Sequence, residues 1–144
     1  NKIFVHKDFH ISNMMIHKKK IYLIDSQDAV YGNIAYDLAS LIDDVRFKTT
    51  LEQKKKIFNK YVSMNKSVEA NKLKNDFEIL SVLRNIKIIG IFTRLSIRDN
   101  KTNYLKLIPR AWNLIELRIN KNKKFEELKE ILDKFFTKKM RRKI

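Results

Sequence analysis

FVHKDFHISNMMIHKKKIYLIDSQDAVYGNIAYDLASLIDD, residues 4–44, carries most of what can be read about the fold. The apolar triplet Ile3-Phe4-Val5 reads as a short strand and runs directly into a polar loop that holds Asp8. Asn13 follows at the start of a second strand-like stretch. Met14-Met15-Ile16 and Ile21-Tyr22-Leu23-Ile24 flank the polar tip His17-Lys18-Lys19-Lys20, which predicts a hairpin with Asp25 at its end. After Gly32 the pattern turns helical and stays so, leaving residues 3–25 as the only strand-like material.

Working outward, Tyr36, Leu38, Ala39, Leu41, Ile42 and Val45 predict a helix over 35–47, and Leu51, Ile57, Phe58, Tyr61 and Val62 another over 51–63. A long helix is expected over 68–97, nearly all apolar at Ile86–Phe92 as a buried central helix should be. Gly90 within it implies close packing against a neighbour. Asp99-Asn100 marks a turn, and 104–119 is again helical, with Pro109 near its first turns or at a kink. A last helix over 125–136 puts Phe125, Leu128, Ile131, Leu132 and Phe135 on one face. Lys138-Lys139 and Arg141-Arg142-Lys143 read as a solvated basic tail. The expected fold class is mainly α with a small β-hairpin sheet.

The 144 residues suit one domain, with 44% apolar and 33% charged residues, an ordinary globular composition. The absence of cysteine excludes disulfides and thiolate metal sites and fits a cytoplasmic location. No apolar run approaches the roughly 18 residues of a membrane span. The chain opens on Asn1 and enters a strand at once, so it is expected to be a piece of a longer protein. A net charge of +16 attracts polyanions, which admits a basic helical nucleic-acid-binding module. Such modules gather basic and aromatic residues on one face. Here the lysines are dispersed, Phe and Tyr fall mostly on apolar helical stripes, and Lys, Asn and Ile are all abundant. The charge is therefore read as composition, and no nucleic acid is expected as partner.

Asp8, Asn13 and Asp25 are the groups that phosphoryl transfer from a nucleotide requires. A carboxylate must orient the attacking hydroxyl and take its proton, which Asp8 can do. Mg²⁺ takes oxygen ligands, usually one or two carboxylates plus phosphate oxygens. Asn13 offers an amide oxygen, Asp25 a carboxylate, and the hairpin between them can bring both ends together.

His6-Lys7-Asp8-Phe9-His10-Ile11-Ser12-Asn13 resembles the H-x-D-x-x-x-x-N catalytic loop of the aminoglycoside phosphotransferase and protein-kinase-like superfamily, and Ile24-Asp25 resembles its metal-binding segment. IDSQDAVYGNIAYDLASLIDD (24–44) is similar to a segment of bacterial kinases that phosphorylate the anomeric hydroxyl of N-acetylmuramic acid and N-acetylglucosamine, as is the helical segment 83–116. The resemblance implies the C-terminal lobe of a kinase-like fold, with 1–33 as catalytic loop and metal-binding hairpin and 34–144 as helical subdomain. It implies Asp8 as catalytic base, Asn13 and Asp25 as Mg²⁺ ligands, Asp37 as a buried acid accepting backbone N–H groups of the catalytic loop, and His6 as packing for that loop. Asp28 is a candidate for support of metal or substrate, or for a surface role. His10 is read as touching the transferred phosphate or as a packed or solvated ring. Ser26 replaces an aromatic residue and Asn33 a proline.

The resemblance further implies ATP and Mg²⁺ as cofactors and a small sugar as substrate, as in cell-wall recycling. Before Asn1 there is no Gly-rich loop, strand Lys or hinge, so the N-terminal lobe is expected to be missing and the isolated chain inactive. An aminoglycoside or choline acceptor stays open. Abundant Lys and Arg on the helices favour an anionic or neutral acceptor over a polycation, and Arg84, Arg94 or Arg98 could receive the carboxylate of N-acetylmuramic acid.

Overall fold

Two antiparallel strand pairs come first along the chain, and helices follow. The computed structural model describes residues 2–142, so Asn1, Lys143 and Ile144 lie outside the described residues. Strand β1 (Lys2–Val5) leads to a 3₁₀ turn at Ile11–Asn13, then to β2 (Met14–His17), β3 (Lys20–Leu23) and β4 (Val30–Asn33). Helices α1 (Ala35–Ile42), α2 (Leu51–Met64) and α3 (Ala70–Asp99) follow. A 3₁₀ stretch at Thr102–Leu107 precedes α4 (Ile108–Ile119), and α5 (Glu126–Phe135) and α6 (Lys138–Arg142) complete the described chain. Two units divide it, one up to Leu80 and one from Ser81, and the division falls within α3. Among the described residues no helix is long and apolar enough to cross a membrane.

The hairpin β2–β3 pairs Met14 with Leu23 and His17 with Lys20. Its turn residues Lys18 and Lys19 both take positive φ, 46° and 62°. Two left-handed residues are what a two-residue hairpin turn needs to match strand twist. Strand β4 lies outside the stretch expected to hold all strands. It pairs with β1, Ile3 opposite Gly32 and Val5 opposite Val30. A side chain at Gly32 would sit 3.2 Å from Val5 Cγ2, so this crossing accommodates glycine without adjustment.

In the first unit, Ala35, Leu38, Ala39 and Ile42 of α1 pack with Leu73 and Phe77 of α3. Ile57, Phe58, Tyr61 and Val62 of α2 cover this core, with the rings of Phe58 and Phe77 edge-to-face at 5.4 Å. Helix α1 stops at Ile42, short of the expected 47. The reason is non-local: Thr49 Oγ1 and Lys54 Nζ both donate to the Ile42 carbonyl, at 2.8 and 2.6 Å. Lys54 Nζ also donates to Asp43 Oδ1 at 2.6 Å in a buried ion pair. Helix α2 begins with a capping box, Thr50 Oγ1 accepting from Gln53 N–H and Gln53 Oε1 from Thr50 N–H.

In the second unit, Ala111, Trp112, Leu114, Ile115 and Ile119 of α4 are buried. The segment expected to open this helix is 3₁₀ up to Leu107, and Pro109 sits in the first turn of α4, where a missing N–H costs nothing. Phe125 and Leu132 are buried but Ile131 and Phe135 are exposed, so the expected single apolar face is only partly used. In the tail, Lys138, Lys139 and Arg142 are exposed as expected, Lys143 lies outside the described residues, and Arg141 departs. Arg141 is 3% exposed, bonded to Glu116 Oε1 at 3.0 Å and Asp133 Oδ1 at 2.6 Å, with its guanidinium over Trp112.

Gly90 does not pack closely either. A Cβ there meets nothing within 4 Å, and the residue lines a cavity of about 590 Å³ with Ile86, Ile89, Ile97, Trp112, Leu132 and Phe136. Gly90→Ala is therefore expected to stabilise the encoded protein by about 0.5–1 kcal/mol, the helix-propensity difference, in urea denaturation. A loss of stability would show that the position is closely packed after all.

Candidate active site

The loop after β1 is held by three sets of bonds. Asn33 Oδ1 accepts the Ala35 N–H at 2.9 Å and starts α1, while Asn33 Nδ2 donates to Asp76 Oδ2 at 2.8 Å. The Asn that stands in place of a proline thus sets where α1 begins. One turn on, Asp37 turns its carboxylate back to the loop and accepts His6 N–H at 2.7 Å and Lys7 N–H at 3.1 Å. Lys7 is in the left-handed region, φ 71°, a conformation that costs a non-glycine residue about 1–3 kcal/mol and persists only when its surroundings hold it. Asp37 supplies that hold.

The second set closes the loop on itself. The Asp8 carbonyl accepts His10 N–H at 3.0 Å and Asn13 Nδ2 at 3.0 Å, and His10 O accepts Asn13 N–H at 2.9 Å. Asp8 is exposed, so its carboxylate faces solvent while its backbone is pinned. Asn13 spends its amide nitrogen on the loop, and its Oδ1 has no hydrogen bond among the described residues.

The third set brings the far end of the hairpin to the loop. Ile24 N–H donates to Asn13 O at 3.1 Å, one step beyond the Met14–Leu23 pair, so Asp25 follows the residue bonded to Asn13. The buried His6 ring donates Nε2–H to the Ile24 carbonyl at 3.0 Å, tying the loop to the segment of Asp25. Asp25 itself is left-handed, φ 69°, and its Oδ1 accepts Gln27 Nε2 at 2.8 Å. Four residues named from the sequence, His6, Asp8, Asn13 and Asp37, are thus linked in one network of bonds, which reaches the fifth, Asp25, through its neighbour Ile24. Gln27 and the left-handed Lys7 were not among those named. A polar amide two positions from a candidate metal ligand was the available signal for Gln27.

Asp28 is exposed and follows Gln27 in the turn closed by Ala29 N–H to Ser26 O at 3.0 Å. His10 is buried, at 8% exposure. Tyr61 O–H reaches the Ile34 carbonyl at 3.4 Å, and its pKa is raised by burial first and by the charge of Asp37 second. The three arginines belong to the second unit. Arg84 is buried within α3. Arg94 and Arg98 are exposed and line the apolar cavity beside Gly90. Arg98 already forks onto Asp99, Nε to Oδ1 at 2.6 Å and Nη2 to Oδ2 at 2.9 Å, a pairing that lowers the Asp99 pKa.

Residues 1–67 match the model of the phosphotransferase enzyme family. The chain is 35% identical over 120 residues to an N-acetylmuramate/N-acetylglucosamine kinase of Neisseria meningitidis, covering 79% of this chain and 36% of that protein. It is 29% identical over 120 residues to the kinase of the same name from Caulobacter vibrioides, covering 80% and 33%. Against the one from Pseudomonas aeruginosa it is 29% identical over 139 residues, covering 91% and 40%. The chain thus spans no more than 40% of the length of these three relatives. Residues 1–67, the segment that matches the phosphotransferase enzyme family, are also the segment that holds the loop, the hairpin and Asp37.

Proposed function

We propose that this chain forms the catalytic lobe of a kinase that transfers the γ-phosphate of ATP to the anomeric hydroxyl of N-acetylmuramic acid or N-acetylglucosamine. The observation that carries the reading is the linkage of Asp8, Asn13 and Asp25 through the Asp8 carbonyl and the Asn13–Ile24 bond, with the loop held by Asp37. Asp8 accepts the proton of the sugar hydroxyl as the sugar oxygen bonds to the γ-phosphorus and the bond from that phosphorus to the ADP oxygen breaks, releasing ADP. An anomeric hydroxyl is more acidic than an ordinary alcohol, so one carboxylate suffices and most of the work is positioning.

The oxygens present fit Mg²⁺. Asn13 Oδ1 is uncommitted and Asp25 Oδ1 is shared with one amide N–H, which leaves its second oxygen for a hard cation. Asn13 and Asp25 would hold the ion, which when bound neutralises phosphate charge. Asp37 and His6 keep the loop in register with Asp25 and touch no reactant. Asp28, exposed in the turn after Gln27, stands as a secondary candidate for substrate support. The parts that cover the nucleotide would come from a further lobe, in keeping with the share of the relatives' length that this chain spans. The exposed apolar residues of the hairpin, Met15, Ile16, Ile21 and Tyr22, are consistent with that cover.

The test is ADP release by the protein of the complete reading frame, with Mg²⁺-ATP and N-acetylmuramic acid, N-acetylglucosamine, kanamycin or choline. Turnover with an acetylated sugar alone is expected. Turnover with kanamycin or choline instead would keep the phosphotransfer and overturn the acceptor.

A further inference from the structure

Resting on the reading of Asp25 as a metal ligand, we propose that Gln27 is a positioning residue that sets which oxygen of Asp25 is presented to the divalent cation. The hydrogen bond from Gln27 Nε2 to Asp25 Oδ1 is 2.8 Å long and spans two residues. Asp25 is left-handed, φ 69°, a conformation that aspartate reaches more readily than most residues, and this bond gives its exposed carboxylate a brace. The adjacent side chain offers none: Ser26 is small and exposed.

Gln27 is held in turn by the tight turn that Ala29 N–H closes on Ser26 O at 3.0 Å. A carboxylate has about four lone-pair sites on its two oxygens, so an N–H fixed on one oxygen orients the other. An amide does this without adding charge, and so does not compete for the ion as a second carboxylate would. Because both partners are exposed, the bond adds little to folding. Its consequence is direction, and residues that orient metal ligands in this way typically alter metal affinity by about 10–100-fold.

The test compares the wild-type protein of the complete reading frame with Gln27→Ala, Gln27→Met and Asp25→Ala. Mn²⁺ serves as the probe, with free ion read by electron paramagnetic resonance in the presence of ADP. In parallel, turnover is measured as a function of Mg²⁺. Both Gln27 variants are expected to weaken Mn²⁺ binding about 10-fold and to raise the half-saturating Mg²⁺ by a similar factor. The thermal midpoint should not move, and kcat at saturating Mg²⁺ should change far less. Met has the length of Gln but no N–H, so equal losses in Ala and Met identify the donor as the cause. Unchanged Mn²⁺ binding in both Gln27 variants, with Asp25→Ala abolishing it, would overturn the role of Gln27 alone. Unchanged binding in Asp25→Ala as well would overturn the metal assignment and this inference with it.

Discussion

Asp8→Asn is expected to lower kcat of the complete protein by about 10²–10⁴-fold, the usual contribution of a positioned general base. The substitution is nearly isosteric and removes the negative charge and one acceptor oxygen, and with them the capacity to take a proton. The two bonds that pin this residue run to its backbone carbonyl, from His10 N–H and Asn13 Nδ2, and neither depends on the carboxylate. The side chain is exposed, so the change in stability should stay within about 0.5 kcal/mol. Steady-state kinetics and urea denaturation on the same preparation separate the two effects. A variant that keeps wild-type kcat would remove Asp8 from the role of base.

Asp37→Ala is expected to lower the stability of the first unit by about 3 kcal/mol or more. Two backbone donors, His6 N–H and Lys7 N–H, lose a charged acceptor at 2.7 and 3.1 Å. Hydrogen bonds to charged groups contribute about 1.5–3 kcal/mol each, and orphaned donors bear their own desolvation cost. The left-handed Lys7 loses its support in the same step, so the loop is expected to relax and activity to fall even in the folded fraction. Asp37→Asn should be milder, since one acceptor oxygen is kept. Urea midpoints of the three proteins decide it: a loss below about 1 kcal/mol for Asp37→Ala would mean that other contacts hold the loop.

The hairpin was legible because both its strands are local, apolar and separated by a polar tip, and the turn closes within the segment. Strand β4 was not, because Val30-Tyr31-Gly32 becomes a strand only by pairing with β1 at the other end of the segment. Helix ends behaved in the same way. The capping box at Thr50 lies within four residues, whereas α1 ends at Ile42 because Lys54 reaches its carbonyl. Arg141 looked like one cation of a basic tail, and only its approach to Glu116, Asp133 and Trp112 makes it a buried one. Gly90 reads identically in a tight crossing and beside an open cavity, so its context had to come from the structure.

Within the site, residue type and spacing singled out Asp8, Asn13 and Asp25, since few other arrangements put two acids and an amide around a hairpin. Resemblance added His6 and Asp37. The backbone conformations of Lys7 and Asp25 lay beyond that reading, because positive φ is decided by the hydrogen bonds that hold it and leaves little trace in residue identity outside Gly, Asn and Asp. The Gln27 bond was hidden for a similar reason, an exposed glutamine being unremarkable until its partner is seen.

The most direct measurement is phosphorus NMR of the product formed by the complete protein from Mg²⁺-ATP and N-acetylmuramic acid. The account predicts a sugar phosphate whose phosphorus couples to the anomeric proton, formed by the wild type and absent with Asp8→Asn. A phosphate on another hydroxyl of the sugar, or no sugar phosphate from a folded protein, would contradict it.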